Sequence, residues 1–131
     1  MNPTTQLDRL GQRLWLDNIT RDLLVSGTLQ RYMRDFAISG LTSNPTIFDH
    51  AIRNTNLYDE AISEAAAQGR SGEALFLDLA MADVTAAADL FRPIHDATAG
   101  NLIGRWPVHR RVYLCGSPRR GSRCSILELP S

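Results

Sequence analysis

Two short apolar runs, each closed by polar residues and each followed by a helical stretch, constrain this chain more than any other feature. Arg13-Leu14-Trp15-Leu16-Asp17 is apolar and ends on a carboxylate, the pattern of a short buried strand. Residues 20–36 read as helix with a break at Ser26-Gly27. Ala37-Ile38-Ser39-Gly40-Leu41-Thr42-Ser43 reads as a second strand. It stops at Asn44-Pro45, where proline is well placed as the first residue of the next helix. Strand, helix, strand, helix with short connections predicts an α/β fold with parallel strands joined by right-handed crossovers. Parallel pairs are normally covered on both faces, and two strands in residues 1–98 leave most of that cover missing. The segment therefore reads as the opening of a larger α/β fold.

The remaining periodicity is helical. Leu7 and Leu10 suggest a short opening helix that ends near Gly11. Tyr58, Ile62 and Ala65 share one face of a helix stopped by Gly69. Leu75, Leu79, Ala82, Ala86 and Leu90 predict the buried stripe of a longer helix. Glu73 and Asp78 lie early in that helix and Arg92 lies at its end, in accord with the helix dipole, and Pro93 is expected to close it.

Charge divides the chain. The formal net charge is +0 over 131 residues. Residues 1–98 hold 8 Arg against 13 Asp and Glu, a balance of −5, while residues 99–131 hold 6 Arg against Glu128 alone, a balance of +5. Both cysteines and 7 of the 15 Gly and Pro residues fall in the second segment. A boundary near Ala99-Gly100 follows. Residues 1–98 form one unit; residues 99–131 are expected to be an irregular, basic, Arg/Gly/Pro-rich tail, disordered or encoded by a shifted reading frame of GC-rich DNA. With no membrane-length apolar run and no signal pattern at the N-terminus, a cytoplasmic setting is expected.

The tail offers no recognisable site. Cys115, Cys124 and His109 supply three potential zinc ligands with no C-x-x-C pair, short of the four that a structural site needs, so no metal is expected. Arg105, Arg110, Arg111, Arg119, Arg120 and Arg123 do not follow the pattern of a known nucleic-acid module, and nucleic acid is disfavoured as a partner.

The candidate chemistry lies at the strand ends. Asp17 closes the first run, and Thr42 and Asn44, two apart, point to one side of the second. In parallel α/β folds substrate-facing groups gather at the C-terminal ends of strands. The competing reading is capping: Asn44 before Pro45 is a good helix N-cap, and Asp17-Asn18 precedes the helix that starts near Thr20. On spacing alone capping is favoured, because every helix start needs its amides satisfied.

Family resemblance bears on this balance. Leu14-Trp15-Leu16-Asp17-Asn18-Ile19 resembles the first strand of bacterial transaldolases. Ile38-Ser39-Gly40-Leu41-Thr42-Ser43-Asn44-Pro45-Thr46-Ile47-Phe48 resembles their second strand and its turn, and Ala88-Asp89-Leu90-Phe91-Arg92-Pro93-Ile94-His95-Asp96 is similar to the helix end before their third. The resemblance covers residues 1 to about 98 and implies the opening portion of a (β/α)8 TIM barrel of class I aldolase type, here helix-rich. It implies the pentose phosphate pathway and transfer of a dihydroxyacetone unit between sugar phosphates through a lysine Schiff base, with no cofactor or metal. Asp17 matches the family's catalytic first-strand acid; Thr42 and Asn44 match its substrate-binding second-strand positions.

The rest of the family's machinery is missing from these residues. All 14 basic residues are arginine, so no side chain can form the Schiff base. The nearest counterpart to the family's third strand, Val112-Tyr113-Leu114-Cys115-Gly116-Ser117-Pro118, places Cys115 where the family has glutamate. At roughly half the length of a typical barrel, the chain is expected to be a truncated, catalytically incomplete member. It is predicted inactive alone and able to associate with a full-length subunit. The alternative is a non-catalytic binding protein that uses its basic tail.

Overall fold

The computed structural model describes residues 2–97 throughout and the backbone of residues 111–114 and 125–128. In chain order the elements are α1 (Pro3–Arg9), β1 (Leu14–Asp17), α2 (Arg21–Val25), α3 (Thr28–Phe36), β2 (Ile38–Thr42), α4 (Pro45–Asn54), α5 (Asp59–Ala67) and α6 (Gly72–Ala97). Two further strands follow, β3 (Arg111–Leu114) and β4 (Ser125–Glu128).

Local chemistry sets the boundaries. Asn2 caps α1, its side-chain oxygen accepting the Thr5 amide at 2.9 Å, and Pro3 fills the first turn. Thr20 caps α2 by accepting the Leu23 amide at 3.3 Å. The break between α2 and α3 falls on Gly27, whose φ of 75° suits a residue without Cβ. Ala37 ends α3 in the same left-handed region at φ 55°. A non-glycine residue there costs about 1–2 kcal/mol.

β1 and β2 pair in parallel, with Trp15 opposite Gly40, Leu16 opposite Leu41 and Asp17 opposite Thr42. The period of two divides the sheet into unlike faces. On one, Leu16 and Leu41 pack against a core of Ile19, Leu23, Leu24, Leu29, Phe48, Ala80, Val84 and Ala87, supplied by α2, α3, α4, α6 and the turn after β1. On the other, Trp15, Asp17 and Thr42 are exposed. A second cluster, Ala51, Tyr58 and Leu79, joins α4, the start of α5 and α6.

Three expectations are corrected. The buried face of α6 carries Leu79, Ala80, Asp83, Val84 and Ala87, while Ala82 and Ala86 are exposed. The buried stripe passes through an acid, which an apolar count steps around. Pro93 does not close α6, which continues to Ala97. Proline's φ is helical, and Leu90 and Phe91 hold the preceding turn against the core. The tail is not wholly irregular either, since β3 and β4 pair antiparallel within it. Val112-Tyr113-Leu114 and Ile126-Leu127 are strand-forming residues, and glycines at 116 and 121 and Pro118 fall between them. This pair forms a sheet separate from β1–β2, so Val112, Tyr113 and Leu114 do not extend the parallel sheet.

Candidate active site at the strand ends

The last register pair of the parallel sheet brings two of the three expected site residues into contact. Thr42 Oγ1 donates to Asp17 Oδ1 at 2.9 Å, and both residues are exposed. Each lies at the C-terminal end of its strand, where the backbone turns toward a helix. The hydrogen bond fixes one carboxylate oxygen and leaves the other free to accept from a ligand.

Asn44 is placed differently. Its Oδ1 accepts the Ile47 amide at 3.1 Å and caps α4, as the capping reading held. That leaves its Nδ2 amide as the part able to donate to a ligand. For Asp17 the capping reading fails, because Thr20 takes that role at α2. Between Thr42 and Asn44, Ser43 is turned inward, 5% exposed, and its hydroxyl has no hydrogen-bond partner among the described residues.

Trp15, two residues before Asp17, sits on the same face. A Cβ placed on Gly40 would lie 2.7 Å from both Cδ2 and Cε2 of its indole. Those are the ring-fusion carbons, which have no free edge, so the ring lies face-on over the Gly40 backbone. An apolar groove of about 540 Å³, lined by Leu16, Tyr32, Phe36 and Ile38 among others, includes none of Asp17, Thr42 and Asn44.

Sequence reading missed a polar cluster behind the site. Asp83, 3% exposed, accepts from Arg21 Nε at 2.9 Å and from the Tyr58 hydroxyl at 2.7 Å. The Tyr58 hydroxyl in turn accepts the Arg21 amide at 3.0 Å, and the Arg21 guanidinium lies 4.3 Å from the Tyr58 ring centroid. Burial, followed by the hydrogen bond to Asp83, pushes the Tyr58 phenol up to about 12. The cluster pins the chain four residues after Asp17 to α6. The one signal in the sequence was an acid, Asp83, among apolar neighbours of a helix.

Among the described residues no group of three or more His, Cys, Asp or Glu side chains is arranged to hold a metal ion. No helix among them is long and apolar enough to cross a membrane. Cys115, Cys124 and His109 lie outside the described residues.

Parallel strands backed by helices, with an acid and a hydroxyl joined at their C-terminal ends, define an α/β protein of the class that carries its site at the strand ends. The sequence profile of the transaldolase/fructose-6-phosphate aldolase family matches residues 14–111, and the chain belongs to that family. The match passes the boundary expected near Ala99 and leaves residues 112–131 outside it.

Similar proteins include a transaldolase of Thiobacillus denitrificans, 38% identical over 101 residues, covering 77% of this chain and 28% of the relative. A transaldolase of an Arthrobacter species is 40% identical over 98 residues, 75% of this chain and 26% of its own length. One of Frankia alni is 39% identical over 119 residues, 90% of this chain and 30% of its own length. The chain thus spans about a quarter to three tenths of these relatives.

Proposed function

We propose that these residues are the opening portion of a transaldolase-type (β/α)8 barrel and supply the Asp17, Thr42 and Asn44 part of a sugar-phosphate site. In that reading Asp17 takes and returns protons at substrate hydroxyls, while Thr42 and Asn44 position the ligand by hydrogen bonds. The observation that carries it is the Asp17–Thr42 hydrogen bond at the ends of two parallel strands. The family's reaction moves a dihydroxyacetone unit between a ketose and an aldose phosphate in the pentose phosphate pathway, a cytoplasmic route, through a lysine imine. With no lysine among its 131 residues, the chain binds ligand and does not turn it over.

The test is borohydride trapping. Fructose 6-phosphate incubated with the purified chain and reduced should leave its mass unchanged, and ketose–aldose exchange should stay at background. Trapped adduct or measurable exchange would overturn the reading. Mixing with a full-length relative should produce a complex if association with a complete subunit is its role.

A second reading rests on the +5 balance of residues 99–131: a non-catalytic interaction protein that uses these arginines on RNA. It requires a salt-sensitive mobility shift of labelled RNA. The shift in charge and cysteine content across Ala99 supports loss of reading frame in this region, although the family match itself runs on to residue 111. Translating the other frames of the DNA beyond the Phe91 codon should recover a strand with glutamate and then one with lysine. If neither frame does, residues 99–131 are a genuine coding sequence and the interaction reading gains.

A further inference from the structure

Trp15 is a large apolar side chain left 45% exposed on the same sheet face as the Asp17–Thr42 pair. One face of its indole is seated on Gly40, where even a methyl group would not fit. With that face covered, the exposure belongs to the rest of the side chain. A flat apolar surface beside a carboxylate acceptor and a hydroxyl matches a polyol, whose carbon chain is apolar on one side and whose hydroxyls donate on the other. The ring's negative face favours the polarised C–H groups of such a chain.

We propose that Trp15 and Gly40 form the floor of the site: the indole carries the carbon chain of a sugar phosphate while Asp17 and Thr42 take its hydroxyls. Gly40 sets the depth, because a Cβ there would force the ring off its seat. The proposal rests on the sugar-phosphate reading above and adds to it a surface that recognises the carbon chain rather than the phosphate.

The full chain carrying Trp106→Phe leaves Trp15 as its one tryptophan, so its fluorescence reports on this ring alone. Fructose 6-phosphate and inorganic phosphate are titrated separately, with binding measured in parallel by equilibrium dialysis. The expected result is a saturable change in Trp15 emission with fructose 6-phosphate and none with phosphate. Trp15→Leu should weaken binding about tenfold, and Trp15→Phe, which keeps a ring, about threefold or less. Gly40→Ala, which retains both Trp15 and Asp17, should weaken binding and shift the emission of the unliganded protein. Binding that depends on Asp17 but leaves Trp15 emission unmoved overturns the floor and spares the sugar-phosphate site. An emission change that phosphate alone reproduces also overturns it. No binding to the folded chain overturns both.

Discussion

Asp17 and Thr42, 25 residues apart in the chain, meet across the last pair of β1 and β2, the threonine hydroxyl donating to the carboxylate at 2.9 Å. Both are exposed, so the bond contributes little to folding, on the order of 0.5 kcal/mol. Thr42→Val and Asp17→Asn should therefore melt within a few degrees of the parent. Each should weaken fructose 6-phosphate binding about tenfold or more, Asp17→Asn most, since a hydrogen bond to a charged group is worth about 1.5–3 kcal/mol. Equilibrium dialysis beside a thermal melt separates the two effects.

Asp83 is the reverse case, buried and paired to two groups. Asp83→Ala would remove the carboxylate partner of the Arg21 guanidinium, which keeps only the Leu57 carbonyl, and the acceptor of the Tyr58 hydroxyl, and should cost about 3–5 kcal/mol in urea unfolding. Tyr58→Phe removes one donor and should cost about 1–3 kcal/mol. If Asp83→Ala unfolds at the same urea concentration as the parent, the cluster is not holding α2 against α6.

The Tyr58 phenol, raised to about 12 from its ordinary 10, gives a pH signature. The folded state holds this proton more tightly than the unfolded state. The resulting stability is complete below pH 10 and is lost as pH rises toward 12. Phenolate absorbance at alkaline pH should show one tyrosine titrating late, and Tyr58→Phe should remove that component.

Two local costs, one of backbone and one of a side chain, are open to relief. Ala37→Gly frees a left-handed position from its Cβ and should stabilise by about 0.5–1 kcal/mol, net of glycine's greater unfolded-state entropy. Ser43→Ala removes a buried hydroxyl with no partner among the described residues and should be neutral or stabilising. Loss of more than about 1 kcal/mol on Ser43→Ala would mean that the hydroxyl is bonded after all.

Much of residues 1–97 was legible from periodicity and punctuation: both strands, the break at Ser26-Gly27 and the start of α4 at Pro45 follow from Gly, Pro and capping residues acting locally. The Asp17–Thr42 contact was legible as a shared strand-end location, though not as a bond, because register is set by long-range pairing. The stripe of α6 was misread for a physical reason. Asp83 is buried only because Arg21 and Tyr58, distant in sequence, neutralise and bond it. The platform under Trp15 was hidden likewise, since the need for glycine at position 40 depends on what lies opposite.

Each strand of the parallel sheet has, among the described residues, only the other for a neighbour, so the sheet has two outer rims of backbone amides and carbonyls. Molecules with a formal net charge of +0 have little long-range repulsion to keep such rims apart. The solubility ceiling of the purified chain near neutral pH is therefore expected to be set by main-chain pairing between molecules. Moving the pH away from neutrality should raise that ceiling before any mutation does.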